Sequence, residues 1–256
     1  MTLEIPLKIF RYKAGDAAPH YDTFKVQVAE TANLLDAIEV AWAEHDRTLT
    51  FRHACHHASC GSCAVRVNGV ERLPCIAPVA QVWPGQGELL IEPLRNFPII
   101  SDLVVDVAGF FQRMLASGLV ITRTAETTLP LNADAASGAD VLKPQAVVVA
   151  DGLSRYNRFE DCIECGICIS ACPTMAATDK FFGPAGLAAI YRARLESADK
   201  AQATRLLELV DGEHGVWRCH SAYECTESCP QNVDPAGAIM ALRRDLLAYR
   251  FKKLFG

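Results

Sequence analysis

Residues 162–173 read Cys-Ile-Glu-Cys-Gly-Ile-Cys-Ile-Ser-Ala-Cys-Pro. This spacing, C-x2-C-x2-C-x3-C-P, is typical of bacterial ferredoxins that carry two iron–sulfur clusters. In those proteins the first three cysteines bind one cluster, and the fourth reaches across to the other cluster. Cys172, the fourth cysteine here, therefore needs a second set of thiol ligands elsewhere in the chain.

A second run, residues 219–230, supplies that set and reads Cys-His-Ser-Ala-Tyr-Glu-Cys-Thr-Glu-Ser-Cys-Pro. It keeps the same frame, but Ala222 stands where the second cysteine would be. Because the fourth cysteine of each run binds the cluster of the other run, a [4Fe–4S] cluster is predicted on Cys162, Cys165, Cys168 and Cys229. The other site retains Cys172, Cys219 and Cys225. Because three thiolates hold three irons, we predict a [3Fe–4S] cluster there, with a higher reduction potential than its neighbour since its ligands carry less negative charge.

The other four of the eleven cysteines lie near the N-terminus, with C-x4-C-x2-C spacing and a distant fourth member: Cys55, Cys60, Cys63 and Cys75. This spacing is typical of plant-type [2Fe–2S] ferredoxins. Disulfides would need an oxidising compartment, and a structural zinc site usually shows two separated C-x2-C pairs. Nearby histidines raise a Rieske site as an alternative: His53, His56 and His57. Since four cysteines already satisfy the cluster, we interpret these histidines as loop or surface residues.

Hydrophobic patterning divides the chain into a mixed first part and a helical second part. Strands are predicted over 7–12, 24–28, 64–67 and 89–91, with a helix over 33–44 and a turn at Asn68-Gly69. A connecting helix is predicted to begin with Ser101 as N-cap and to stop at Gly118, before a linker over 122–146. Further helices are predicted over 184–195, 200–210 and 235–254. The predicted divisions are 1–100, 101–147 and 148–256.

Composition and charge limit the classes of partner. The net charge is −5 over 256 residues, which gives no electrostatic reason to expect nucleic acid. The N-terminus lacks the apolar core of a signal peptide, and charged residues break every long apolar stretch, so we expect no transmembrane segment and a reducing compartment. Residues 241–256 hold five basic residues against one acidic residue, interleaved with apolar side chains. This tail either complements its own helix dipole or docks on an anchor subunit or anionic lipid.

Together these motifs resemble the iron–sulfur subunit of succinate dehydrogenase and fumarate reductase. Shorter stretches agree with that family, at residues 60–63, 102–106, 182–185, 215–217 and 233–235. The resemblance implies an α+β fold, with an N-terminal plant-type [2Fe–2S] ferredoxin (β-grasp) domain followed by an all-helical two-cluster ferredoxin domain. No GxGxxG or GxxxxGK loop is present, so we expect no catalysis by this chain alone.

The resemblance also implies partners and cofactors. A flavoprotein subunit with FAD would interconvert succinate and fumarate, and membrane anchor subunits, often with haem b, would complete a quinone site. Single electrons would pass from FAD through the [2Fe–2S], [4Fe–4S] and [3Fe–4S] clusters to quinone. The chain would then lie peripherally on the cytoplasmic face of the inner (plasma) membrane, as in bacterial respiratory complex II.

Family positions beside the [3Fe–4S] cluster imply a quinone pocket that includes Pro173, His220 and Arg243, where a lysine is usual at the last position. Ubiquinone-type members carry a tryptophan where this chain has Ala177. The missing indole favours menaquinone or a different docking geometry.

Three alternatives remain open. The same relay runs in reverse in a quinol:fumarate reductase. Another flavoprotein-linked oxidoreductase, such as a glycolate oxidase-like or heterodisulfide reductase-like enzyme, would usually carry paired complete motifs, which Ala222 argues against. A stand-alone ferredoxin would be recovered without a flavoprotein.

Overall fold

The computed structural model describes residues 2–116, 159–197 and 199–255. The predicted stop at Gly118 and the predicted linker lie outside these ranges. The first part is built on a sheet of β1 (Thr2–Arg11), β2 (His20–Ala29), β3 (Val65–Val67), β4 (Val70–Arg72) and β5 (Leu89–Glu92). The strand order is β2-β1-β5-β3-β4. Strands β1 and β5 are parallel and the other neighbours are antiparallel, so the predicted β-grasp arrangement is confirmed.

One face of this sheet is covered by helix α1 (Leu34–Val40), which continues as a wider turn over Ala41–His45. Asn33 caps the helix reciprocally with Asp36, whose carboxylate accepts a hydrogen bond from the Asn33 amide at 2.8 Å. Alternate residues of β1 point inward, so Ile5 and Leu7 are fully buried in the core beneath α1. A short helix α2 (Val79–Val82) lies between β4 and β5.

The predicted helix start at Ser101 is wrong. Residues there form two short antiparallel strands, β6 (Ile99–Ser101) and β7 (Val104–Val105), and helix α3 begins later, spanning Ala108–Ala116. The cause is Asp102, which has φ 44° and a fully buried carboxylate. That carboxylate accepts hydrogen bonds from Tyr12 N at 3.0 Å, Lys13 Nζ at 2.6 Å and Thr50 N at 2.8 Å.

The electrostatics of Asp102 explain why the segment is held in this conformation. Burial raises the pKa of its carboxyl, but the hydrogen bonds from Lys13, Tyr12 and Thr50 outweigh burial, so the pKa lies below its usual value. The group is therefore ionised and fully bonded at neutral pH. These long-range contacts outweigh the local helical pattern.

The second part is helical. Its helices are α4 (Ile167–Ala171), α5 (Pro173–Ala177), α6 (Gly183–Glu196), α7 (Lys200–Leu209), α8 (Glu224–Glu227) and α9 (Pro235–Phe255). The three long helices, α6, α7 and α9, agree with the predicted ones to within one residue at either end. Helices α6 and α9 pack through fully buried residues such as Leu187, Ile190 and Leu242. Within the described ranges, no helix has the length and apolar character needed to cross a membrane.

The two parts are joined beside the cysteine-bearing loops. Asn96 Nδ2 donates to three backbone carbonyls of the helical part, those of Ile169 (2.8 Å), Ser170 (3.1 Å) and Cys172 (3.2 Å). Gln231 Nε2 donates back to the carbonyl of Ala58 at 2.8 Å. The predicted connecting segment, 101–147, is described only as far as residue 116, where α3 packs against the core of the helical part.

Candidate metal centres

The first cysteine group lies in the loop between α1 and β3, with its fourth member in a helical turn at Pro74–Ile76. Three backbone amides point at the Cys55 sulfur, those of His57 (3.5 Å), Ser59 (3.2 Å) and Cys60 (3.3 Å). These donors, led by His57, lower the pKa of the Cys55 thiol to about 7. The loop therefore stabilises a thiolate here before any metal arrives.

Cys63 and Cys75 are buried beneath this loop. Burial raises the pKa of the Cys63 thiol to about 12, and the neighbouring sulfurs of Cys75 and Cys60 contribute further. The four predicted ligands therefore lie together. Without iron, the Cys63 thiol is protonated at neutral pH, so metal binding must displace its proton.

The second group surrounds a cavity of about 70 Å³ between α4, α6 and the segment after α8. Its lining includes all four thiols of the predicted [4Fe–4S] set, Cys162, Cys165, Cys168 and Cys229. Burial raises the pKa of Cys165 to about 12 and also raises that of Cys168. Residues 162–168 and Cys229 are more than 60 positions apart in sequence, so the fold brings them together.

The third group lines a separate, smaller cavity of about 20 Å³. Cys172, Cys219 and Cys225 face it, and so does Ala222. Burial raises the pKa of Cys225 to about 12. Burial also raises the pKa of Cys172, although the amides of Met175 and Thr174 oppose this effect. Ala222 thus offers a methyl group at the cavity where the ferredoxin frame would place a thiol.

Two of the three residues predicted for the quinone pocket line the third cavity, and the remaining residue does not. Pro173 and His220 line the same cavity as the three thiols. Arg243 is not among the lining residues. Its guanidinium donates to the carbonyl of Val216 at 2.8 and 3.0 Å and to that of Cys219 at 2.5 Å. These hydrogen bonds from Arg243 therefore connect α9 to the loop that contains Cys219.

The contact of Gly61 with the helical part was not predicted from the sequence. Gly61 has φ +68°, and a Cβ built on it would lie 2.7 Å from Cys165 Cβ. The first cysteine loop thus packs directly on the second. Asn96 was also missed, because nothing in the sequence links it to Cys172, which lies 76 residues away.

The donor sets fit iron–sulfur clusters. All eleven cysteines are free thiols. They converge in three separate groups. Amide donors point at the half-buried sulfur of Cys55, and Cys63, Cys75 and Cys172 belong to a buried apolar core. Thiolates in such surroundings are the ligands that iron–sulfur clusters use.

Comparisons with known proteins agree with these groups. Residues 6–112 match the family model of the 2Fe-2S iron-sulfur cluster binding domain, and residues 158–233 match that of the 4Fe-4S dicluster domain. The fumarate reductase iron-sulfur subunit of Mycobacterium tuberculosis is 32% identical, over 99% of this chain and 97% of the relative. A mitochondrial succinate dehydrogenase [ubiquinone] iron-sulfur subunit of Oryza sativa is 31% identical, over 92% of this chain and 73% of the relative.

Solved structures show the same fold. A chain of the Mycobacterium smegmatis Sdh1 complex in the apo form superposes with a TM-score of 0.76 at 22% identity, over 98% of each chain.

Proposed function

Because the chain belongs to the family of fumarate reductase and succinate dehydrogenase iron–sulfur subunits, we propose that it is the electron-relay subunit of a succinate:quinone oxidoreductase complex. The main support for this proposal is that the cysteines form three groups, two of them around neighbouring cavities. The chain is also 32% identical to a fumarate reductase iron-sulfur subunit along nearly its whole length. The chain is an oxidoreductase subunit, and the substrate chemistry belongs to a partner.

The proposed ligand sets follow the three groups of thiols. They are Cys55, Cys60, Cys63 and Cys75 for [2Fe–2S], then Cys162, Cys165, Cys168 and Cys229 for [4Fe–4S], then Cys172, Cys219 and Cys225 for [3Fe–4S]. When bound, the clusters supply single-electron transfer between the FAD of a flavoprotein subunit and membrane quinone. The lining of the smaller cavity by Ala222 supports the three-iron assignment.

The protein's own contribution is positioning and exclusion of water. Gly61 allows the first cysteine loop to contact Cys165, and Asn96 ties the sheet part to the carbonyl of Cys172. These contacts fix the separations of the three sites. Buried residues such as Phe110 and Phe159 line the second site and limit the access of solvent from the protein side.

The third site is the proposed exit toward quinone. Pro173 and His220 line its cavity, which supports a quinone pocket on this side. Arg243 contributes to this proposed site indirectly, because its guanidinium donates a hydrogen bond to the carbonyl of Cys219 and so positions the loop that carries this ligand. The small Ala177 favours menaquinone or a different docking geometry, and haem b in an anchor subunit is part of the same proposal.

The C-terminal half of α9 supports docking on a membrane anchor. Its apolar side chains are exposed, with Leu254 at 77% and Phe255 at 75%, and the pair Lys252 and Lys253 directly precedes them. An apolar surface bordered by basic residues suits an anchor subunit or anionic lipid on the cytoplasmic face.

We expect the double substitution Phe251→Ser with Leu254→Ser to release the chain from washed membranes, because it removes two exposed apolar contacts. Leu195→Ser, at an exposed position on α6, is the matched control and should leave the chain membrane-bound. The measurement is the fraction of chain that sediments with membranes. Equal retention of both variants would argue against docking through α9.

The experiment that tests the function is detergent extraction of the native complex, followed by subunit and quinone analysis and by succinate oxidation and fumarate reduction assays. We expect a flavoprotein and an anchor to co-purify and at least one activity to be present. The ratio of the two activities assigns the direction. Recovery of a free monomer, or absence of both activities, would overturn the proposal.

A further inference from the structure

Three side chains outside the cysteine groups converge at the base of the first cysteine loop. Glu39 lies on α1, whereas His53 and His56 lie in the loop on either side of Cys55. Glu39 Oε1 is 3.3 Å from His53 Nδ1 and 3.5 Å from His56 Nε2. The two ring nitrogens are 3.1 Å apart. One candidate ligand atom from each of the three residues therefore lies close to the other two.

These separations match a metal coordination shell. Zinc binds histidine nitrogen and carboxylate oxygen at about 2.0–2.1 Å, which places tetrahedral ligand atoms about 3.3–3.4 Å from one another. The three edges of the triangle formed by Glu39, His53 and His56 are 3.1, 3.3 and 3.5 Å. Two imidazoles and one carboxylate are also a known zinc ligand set that leaves a fourth position open.

A second observation is the state of the carboxylate. Glu39 Oε1 is shielded from solvent, and among the described residues no donor forms a hydrogen bond to it. Its polar neighbours are the ring nitrogens of His53 and His56, and a shielded carboxylate oxygen that lacks a hydrogen bond costs free energy. A single proton can bridge only one pair of the three facing atoms at a time. A divalent cation at the centre satisfies all three atoms together.

The local backbone and packing position these ligands. The His53 ring stacks on Phe51, with ring centroids 5.1 Å apart and planes at 21°. His56 has a left-handed backbone with φ 60°, which turns its side chain back toward α1. The same turn also lies between Cys55 and the His57 amide that points at its sulfur, so one backbone conformation serves both groups.

We propose that Glu39, His53 and His56 bind a divalent transition-metal ion of the zinc class. The carboxylate and two neutral imidazoles leave the occupied site with a charge of +1, and water fills the open position. Because its ligands come from α1 and from both sides of Cys55, the ion clamps the cysteine loop onto the helix. This site is independent of the electron relay proposed above.

The test uses the full chain with its iron–sulfur clusters loaded under anaerobic conditions, since bare cysteines would themselves bind zinc. After chelator treatment and dialysis against micromolar Zn²⁺, zinc and iron per chain are counted by mass spectrometry. We expect one zinc per wild-type chain at unchanged iron. Glu39→Gln and His53→Gln should each bind zinc at least about tenfold more weakly, since even losing a ligand's supporting partner costs 10–100-fold.

The matched control is His57→Gln, a histidine of the same loop outside the triangle, which should bind zinc as the wild type does. X-ray absorption at the zinc edge of the wild-type chain should show nitrogen and oxygen ligands without sulfur. Sulfur ligation, equal binding by wild type and Glu39→Gln, or no zinc at micromolar concentration would overturn the proposal. If His53→Gln loses iron, Glu39→Gln and the absorption spectrum still decide the outcome.

Discussion

At position 222 a methyl group lines the cavity that three thiols share. We expect Ala222→Cys to supply a fourth thiolate and convert the proposed [3Fe–4S] site to [4Fe–4S]. Electron paramagnetic resonance should then lose the oxidised [3Fe–4S] signal, and iron per chain should rise by one. Ala201→Cys, at an exposed position on α7, is the control and should change neither. A wild-type chain without the oxidised [3Fe–4S] signal would contradict the three-thiolate assignment.

At Gly61 the first cysteine loop lies directly against Cys165 of the helical part. In Gly61→Ala the new Cβ would lie 2.7 Å from the Cβ of Cys165 and 2.9 Å from the Cα of Cys165. Both distances are shorter than a van der Waals contact. Gly85→Ala is the matched control, since Gly85 also has positive φ but nothing lies within 4 Å of its Cβ position. We expect Gly61→Ala to cost roughly 1–3 kcal/mol more of unfolding free energy than Gly85→Ala. Thermal unfolding of the cluster-loaded chain measures this, and equal midpoints would contradict the steric argument.

Among the secondary-structure elements, the segment around Asp102 is the one where the predicted helix start at Ser101 was wrong. Apolar residues after Ser101 repeat with a helical period, yet β6 and β7 form instead. The deciding contacts come from residues 52 and 90 positions away, Thr50 and Tyr12. Local periodicity carries no information about such partners. The bounds of α6, α7 and α9 could be predicted from the sequence, and two of these helices begin at or next to a proline, Pro184 for α6 and Pro235 for α9.

The junction of α9 with the Cys219 loop depends on Arg243. We expect Arg243→Ala to cost at least about 2 kcal/mol, because the carbonyls of Val216 and Cys219 lose charged donors. The [3Fe–4S] signal per [2Fe–2S] signal should fall with it. Arg244→Ala, at an exposed neighbouring position, should change stability by no more than about 0.5 kcal/mol.

Spectra and quinone kinetics of the Arg243→Ala complex separate two roles for this residue. Loss of the cluster signal identifies Arg243 as a positioning residue for the Cys219 loop. A raised KM for quinone with the cluster signal intact would instead indicate direct contact with quinone.

At the scale of the whole molecule, two hydrophobic cores differ in their dependence on metal. The core beneath the sheet contains no cysteine among the described residues, whereas the core of the helical part includes Cys63, Cys75 and Cys172. Burial raises the pKa of the Cys63 and Cys172 thiols, so iron removal leaves these two groups protonated in this core. We expect hydrogen exchange in the iron-stripped chain to accelerate across α4 to α9 while β1, β2 and β5 stay protected. Uniform acceleration throughout the chain would show that the sheet part also depends on the clusters.

Ligand spacing and hydrophobic periodicity are local properties of a chain. The three groups of cysteines and the division into a mixed and a helical part could therefore be predicted from them, and the motifs carried the resemblance to the family. The division of seven cysteines into sets of four and three also followed from spacing, and the two cavities contain those same residues. Only the tertiary structure brought Glu39 to the histidines, Asn96 to the carbonyl of Cys172 and Asp102 to Lys13. These groups lie 14 to 89 positions apart, and their meeting depends on how the sheet and helices pack, which no local pattern encodes.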